Sequence, residues 1–386
     1  MRILLSYVVV GRGGDAVQML ALARAMRDRG HTVAMAGGHE LAPYAFATPG
    51  SRLRAVARRL PWWTKDILEL GLGLAAARRA ARACRTVRPD LIVHRPGLYD
   101  AVISQLADRW RIPLALYLDS HVEAERAFRR QRYWRALHRR AMWTLAQRAT
   151  VAVVPSRAVA EYYARLGIAQ HKIEVARNAV SERHLQWGAD PAVAPPPLTD
   201  PDRCAVGFVG SLSRWHRVDL LLDALALLVR GQIGARRRYE LVVVGHGEEA
   251  HALEARVAAW GLGAVVNWRG PMGHDDAVRA AGTFDVAVLP DTLDTGAPMK
   301  LAEYAAMGRP MVAPDRPNIR ELFVPGQEIT LVPPGDARAL AEAIWALAQD
   351  PEAARRMAAA ARARVLGCTW EALVDLLVAR ATASPP

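Results

Sequence analysis

Short, almost uninterrupted apolar runs alternate with segments of helical period along most of the chain. Residues 3–10 form one such run, of the kind that suits a strand covered on both faces. Gly11-Arg-Gly-Gly14 then makes a tight turn. Val17, Leu20, Ala21 and Ala25 recur at helical spacing, which predicts a helix over residues 16–29, closed by Gly30. Residues 32–36 predict the next strand. The same alternation predicts strands at 90–94, 114–118 and 151–155, with Ser156 as the N-cap of the helix that follows, and a short strand within 172–178. It stops at 187–202, WGADPAVAPPPLTDPD, whose proline and polar content predicts a linker. It then restarts with strands at 205–209, 240–245, 265–270, 285–290 and 311–314 and a helix at 220–229, while 318–321 and 331–336 are expected to close a second sheet. Thr369 is placed to cap a last helix. Strand-helix alternation on both sides of a linker predicts an α/β protein of two Rossmann-like parallel-sheet domains, residues 1–187 and 204–367. The linker is 188–203 and the closing helix lies in 368–386.

Composition narrows this picture. The 386 residues are 52% hydrophobic, enough for two cores. No stretch of about eighteen uncharged apolar residues occurs, and the apolar start gives way so soon to glycine and charge that it reads as a first strand, not a signal peptide. Cys84, Cys204 and Cys368 are scattered and odd in number, which suggests a reducing, cytoplasmic setting without a disulfide framework or cysteine metal site. The formal net charge is +13. It crowds into 51–89 and 125–150, where tryptophans interleave with the cations, as in Pro61-Trp62-Trp63 and Arg132-Tyr-Trp-Arg135. With no zinc-finger spacing or RNA-recognition signature, this pattern favours an anionic membrane surface over nucleic acid. Asp200-Pro-Asp202 falls in the linker without acidic company, so no metal site is expected there.

Candidate chemistry concentrates in residues 296–314, GAPMKLAEYAAMGRPMVAP. After an apolar strand, a loop reaches Gly296, Pro298 opens a helix, and Gly308 with Pro310 ends it. A helix N-terminus at the carboxyl edge of a parallel sheet is an anion site. Lys300 adds a full charge to it, and Glu303, one turn on, lies within reach of ribose hydroxyls. Gly210 and Gly245-His-Gly247 stand at other strand ends, where small residues suit close approach of a ligand. His94-Arg95 and Asp119-Ser-His121 are expected on loops after strands of the first domain. The opening glycines run G-x-G-G, not G-x-G-x-x-G, and no acidic residue ends the second strand, so a dinucleotide site is disfavoured.

The run PMKLAEYAAMGRPMVA resembles the donor-site segment of retaining GT-B glycosyltransferases, in particular glycosyltransferase family 4. That resemblance implies a GT-B fold whose last helix crosses back to the N-terminal domain, with the acceptor on residues 1–187 and the nucleotide-sugar donor on 204–367. It implies donor contacts at Gly296, Pro298, Met299, Lys300, Leu301 and Glu303, the glutamate holding the ribose. The family's other glutamate, eight positions earlier, is Thr295 here, beside Asp294. Gly210 opens a loop in which Trp215 and His216 match the family's W-H pair, while Arg217 replaces its glycine. The diphosphate cation is then either Arg214 or Arg217. Gly245 and Gly247 border the donor, and Arg269 and Gly270 flank the base. Arg177-Asn178 resembles the family's P-N-G turn. Gly13, Gly14 and Arg95 fall on the acceptor side, and His121 faces the reacting sugar.

The implied activity is transfer of a sugar from a nucleotide-diphosphate sugar to a glycan or lipid-linked acceptor with retention of configuration. It needs neither cofactor nor metal, and catalysis falls to His121, Lys300 and an arginine, with Arg214 in that role. The expected setting is cytoplasmic and peripheral to the membrane. A nucleotide-sugar 2-epimerase of the same architecture, or a non-catalytic nucleotide- or carbohydrate-binding protein, remains open. The donor base, the sugar and the acceptor are not legible.

Overall fold

The structure is a computed structural model and describes residues 1–8, 14–37, 61, 63–234 and 237–383. They form two compact units, Met1–Arg177 with Trp370–Pro386, and Asn178–Thr369.

The first unit is built on β1 (Arg2–Tyr7), β2 (Thr32–Gly37), β3 (Leu91–Arg95), β4 (Leu114–Tyr117), β5 (Val151–Val154) and β6 (Ile173–Val175). They run parallel in the order β2-β1-β3-β4-β5-β6. Helices cover the faces of such a sheet, which is why its strands are apolar throughout. Leu4, Ile92, Leu116 and Ala152 from the strands pack with Ile103, Leu145 and Val159 from three helices. Ser156 caps its helix, the hydroxyl accepting from the Val159 amide at 3.4 Å. The last helix, Trp370–Ala383, belongs to this unit. Its Trp370 ring lies 6.4 Å from that of Tyr117, and Arg380 pairs with Glu174.

His94 departs from expectation. It is not on a loop but inside β3, fully buried, with Nε2 3.4 Å from Asp100 Oδ2. Burial lowers its pKa to about 3 and raises that of Asp100 to about 7. Neither group reaches solvent, so both act as core polar groups.

The second unit holds β7 (Arg203–Val209), β8 (Arg238–Val244), β9 (Val266–Gly270), β10 (Val286–Val288), β11 (Met311–Pro314) and β12 (Thr330–Val332), parallel in the order β12-β11-β10-β7-β8-β9. Residues 318–321, expected to help close this sheet, lie instead in the helix Pro317–Leu322, with proline at its first turn.

The boundary also moves. Residues 178–203 belong to the second unit, although their composition reads as a linker. Helix Glu182–Ala189 sinks Leu185 into that unit's core. The proline-rich stretch after it is held by its backbone. The buried Arg309 guanidinium donates to the Pro195 carbonyl at 2.8 Å and to Phe284 at 3.0 Å, and Arg355 donates to the carbonyls of Pro197 and Leu198. Asp285 accepts from the amides of Leu198 and Ala205 at 2.6 and 2.7 Å. Among the described residues no helix is long and apolar enough to cross a membrane.

Candidate functional site

In the second sheet the strand order reverses at β7: β8 and β9 lie to one side of it, β10, β11 and β12 to the other. Ligands of open parallel sheets bind at the carboxyl ends of the strands flanking such a switch point. There, the loop after β7 meets the helix Met299–Ala306 that follows β10. Tyr304, fully buried, clips the two together, its hydroxyl accepting from the Val209 amide at 2.8 Å. Gly210 has φ +149°, and a methyl group there would lie 2.8 Å from Lys300 Nζ. At Gly245, φ +137°, a methyl would sit 1.9 Å from the Gly210 carbonyl oxygen. The two loops and the lysine thus close on each other at positions only glycine can occupy.

His216 and Lys300 form the centre of the site. His216 Nδ1 donates to the Ser211 carbonyl at 2.6 Å, which leaves Nε2 as an acceptor, and Lys300 Nζ stands 2.8 Å from it. Burial and the adjacent ammonium push the His216 pKa well below its usual value, so the ring is neutral. Burial lowers the Lys300 pKa to about 7, although Glu303 works the other way. The ammonium also lies 4.9 Å from the centre of the Phe208 ring. The result is a poised cation on an uncharged acceptor at a helix N-terminus. Such an arrangement can hold an oxyanion and stabilise charge that develops on it.

One turn further on, Glu303 Oε1 receives His274 Nε2 at 2.6 Å. Burial opposes charge on both groups, yet their mutual attraction prevails: the carboxyl is held below its usual range and the imidazole above. Beside them, Asp275 accepts from His184 at 3.0 Å and pairs with Arg183. His184, His274 and Asp275 place ligand atoms within 4.8 Å of one another. His184 Nε2 is engaged with Asp275 and His274 Nε2 with Glu303, while His184 Nδ1 is buried without a hydrogen-bond partner among the described residues. The loop before the helix is pinned from two sides. Asn178 donates to the Ala297 carbonyl, and Asn318 to those of Gly296 and, at 2.9 Å, Leu293. Arg316 binds Asp291 at 2.8 Å and Asp294 at 2.5 Å.

The residues singled out in the sequence fare differently. Gly210, His216, Lys300 and Glu303 come together, with Trp215 donating to His216 Nε2 at 3.2 Å. Gly296, Pro298 and Met299 are half-buried at the mouth of the helix, and the Leu301 side chain is fully buried in the core, which leaves its backbone for any donor contact. Arg214 and Arg217 are engaged elsewhere. Arg214 is paired with Glu249 at 3.4 Å and Arg217, at φ +47°, with Asp219 at 3.0 Å, and both line a neighbouring cavity of about 260 Å³. Gly247 packs against the Leu212 backbone. Arg269 is exposed and Gly270 ends β9.

In the first unit, Gly14 begins the helix Gly14–Asp28, and Gly13 lies outside the described residues. Arg95 donates to Asp119 at 3.0 Å and to the Val8 carbonyl at 3.3 Å. Burial works against its charge, but Asp119 keeps it firmly protonated. His121 caps the helix Val122–Phe128, Nδ1 accepting from the Ala124 amide at 3.2 Å, and its ring stacks on Tyr162 at 3.8 Å. Burial lowers its pKa. Sequence reasoning missed His274 and the pinning roles of Asn178 and Asn318. They act on partners far along the chain, and no local spacing marks them.

Two family models match, one described as Glycosyltransferase Family 4 over residues 12–184 and one as Glycosyl transferases group 1 over residues 203–350. Between them they take in most of both units. The chain resembles glycosyltransferase family 4 over the first of these spans and glycosyl transferases group 1 over the second, and is a glycosyltransferase of that type. This glycosyltransferase is 26% identical to the D-inositol 3-phosphate glycosyltransferase of Geodermatophilus obscurus, over 96% of the chain and 85% of that protein. It is 31% identical to the phosphatidyl-myo-inositol mannosyltransferase of Mycobacterium leprae over 42% of the chain, and 30% identical to the alpha-D-kanosaminyltransferase of Streptomyces kanamyceticus over 41%. Those matches span 41% and 39% of the two relatives' own lengths. Among solved structures it is similar to Anabaena HepE in complex with UDP-glucose, with a TM-score of 0.67 at 18% identity, covering the whole of both chains. It is similar also to the sucrose-phosphate synthase of Thermosynechococcus elongatus, with a TM-score of 0.72 at 19% identity and the same coverage. The glycosyltransferase therefore has the two-domain Rossmann-like GT-B fold.

Proposed function

We propose that the protein transfers a sugar from a nucleoside-diphosphate sugar to a glycan or lipid-linked acceptor, with retention of configuration and without a metal ion. The observation that carries this reading is the set Gly210, His216, Lys300 and Glu303 gathered at the switch point of the second sheet. The helix N-terminus and Lys300 hold the diphosphate and stabilise it as it leaves, and Glu303, steadied by His274, takes the ribose hydroxyls. With Arg214 and Arg217 paired to carboxylates, Lys300 is the principal cation, and either arginine contributes only by exchanging its partner. His121 and Arg95 serve the acceptor side. Related proteins bind UDP and UDP-glucose or use GDP-mannose, so uridine and guanosine donors are the first to try. A thermal-shift screen of nucleoside diphosphates and their sugars, followed by turnover in excess chelator, tests the proposal. Acceptor-dependent release of nucleoside diphosphate supports transfer. Release without any acceptor favours a 2-epimerase, absence of turnover a binding protein, and metal-restorable loss refutes the metal-free part.

The reading extends to an anionic membrane surface. In helix Trp63–Thr86, Trp63, Ile67, Leu68 and Leu74 are exposed rather than packed in the core, and Arg78, Arg82 and Arg85 follow them, also exposed. Residues 51–60 and Trp62, expected to take part, lie outside the described residues. Aromatic and aliphatic side chains beside cations suit the headgroup region of an anionic bilayer. Salt-sensitive co-sedimentation with anionic but not neutral vesicles supports it. Binding unchanged by Trp63→Ala with Leu68→Ala refutes this helix as the contact.

A further inference from the structure

The first unit contains a cavity of about 760 Å³, walled by the helices Val122–Phe128, Arg135–Arg148 and Arg157–Arg165. Its charge is lopsided. Arg139, Arg140 and Arg165 line it with a single carboxylate, Glu123, which Arg139 takes at 3.2 Å. Arg140 and Arg165 make no ion pair among the described residues. Unpaired surface arginines are ordinary; the aromatic groups set this cavity apart. Trp143 lines it with 56% of its surface exposed, yet the indole is seated. Gly167 has φ +107°, and a methyl group there would lie 3.0 Å from Trp143 Cδ1, so the ring rests against a backbone that glycine keeps clear. The stacked pair His121 and Tyr162 also lines it. His121 Nδ1 accepts from the Ala124 amide, which leaves Nε2–H as a donor.

We propose that this cavity binds an anionic sugar, its ring against the Trp143 indole and its phosphate or carboxylate between Arg140 and Arg165. A fixed aromatic face takes up the apolar C–H face of a pyranose. Two unpaired guanidiniums supply forked donors for an oxyanion. Neither feature alone selects this ligand: the indole without the arginines would suit neutral sugars, and the arginines without the indole would suit any anion. The site is separate from the donor site of the second unit and does not depend on how that site is read.

Calorimetric titration of the full chain with glucose 6-phosphate, glucuronate, glucose and inorganic phosphate tests the proposal. The two anionic sugars are expected to bind, inorganic phosphate roughly tenfold more weakly, and glucose not measurably. Trp143→Ala should weaken the anionic sugars and leave phosphate unchanged. Arg140→Ala with Arg165→Ala should weaken all three anions by roughly tenfold or more, the loss of a charge-assisted hydrogen bond. Lys300→Met should change none of this, because that lysine belongs to the other unit. Absence of binding by either anionic sugar overturns the proposal. So does binding of glucose as tight as that of its phosphate, or binding that survives the arginine and tryptophan substitutions but is lost with Lys300.

Discussion

Lys300 gives the site a pH signature that can be worked out in advance. Its ammonium is buried beside a neutral imidazole, and its pKa falls from 10.5 to about 7. Above about pH 7 the unliganded protein therefore holds Lys300 mostly uncharged, whereas a bound diphosphate draws the proton back. At pH 8 about nine in ten molecules must take up a proton on binding, and at pH 6 about one in ten. Donor affinity should then fall by nearly tenfold per pH unit above about 7. A nucleotide sugar is the ligand to use, because its diphosphate is esterified at both ends and does not itself titrate near neutrality. Calorimetry at pH 8 in two buffers of different ionisation enthalpy counts the protons. Lys300→Arg, charged at every accessible pH, should flatten the pH dependence, and Lys300→Met should abolish proton uptake and weaken binding throughout. The shift also bears on folding. The unfolded chain binds the proton up to about pH 10.5 and the folded one only to about 7, so the cost of burying the charge is full below pH 7 and relieved between those values. That cost is on the order of 5 kcal/mol, and Lys300→Met should stabilise the unliganded protein more at pH 6 than at pH 10. Proton uptake near zero at pH 8, or a pH slope that persists in Lys300→Met, would refute the reasoning.

Three further outcomes follow from the same geometry. His274→Ala strips the buried Glu303 of its partner and should cost about 3 kcal/mol; because the folded pKa of His274 is raised, the loss should be full below pH 6.5 and fade as pH rises through that folded value, read as the difference in Tm from wild type. The same variant should discriminate less between ribose and deoxyribose donors, and unchanged discrimination would show that His274 does not orient Glu303. Gly210→Ala forces a side chain to φ +149° and into Lys300; a loss of about 1–3 kcal/mol in urea unfolding, with weakened donor binding, is expected, and wild-type affinity would argue against the packed junction. Asp100→Asn should raise Tm at pH 8 but hardly at pH 4, since the folded pKa of about 7 against 3.8 makes the buried carboxylate a cost that is full above pH 7 and relieved as pH falls towards 3.8; a stabilisation equal at both pH values would contradict that assignment.

Much of the architecture was legible in the chain because it rests on local pattern. Apolar runs such as 3–10 and 205–209 must be covered on both faces, and strands covered on both faces alternate with helices in a parallel sheet. The segment 296–314 carried its own helix start, helix stop, lysine and glutamate, so an anion site at a sheet edge was readable there. What local pattern cannot carry is the identity of a distant partner. His216 and Lys300 are 84 positions apart, and Asn178 and the Ala297 carbonyl 119; only the strand order that sets β7 beside β10 brings the first pair together. Arg214 and Arg217 share one loop, and sequence alone does not rank them: Arg217 pairs with Asp219 two positions on, but the partner of Arg214, Glu249, is brought to it only by the fold. Residues 187–202 looked like a free linker because proline and polar content report a lack of regular structure. They do not report whether the backbone carbonyls are bonded, and here Arg309 and Arg355 bond them. His94 is the inverse case: a polar residue at the end of an apolar run reads as an exit to a loop, and only the packing of β3 between β1 and β4 buries it. Periodicity thus determined which segments are strands and helices, while strand order and packing decided which side chains share a charge, a proton or a carbonyl, because those interactions depend on distance in space and not along the chain.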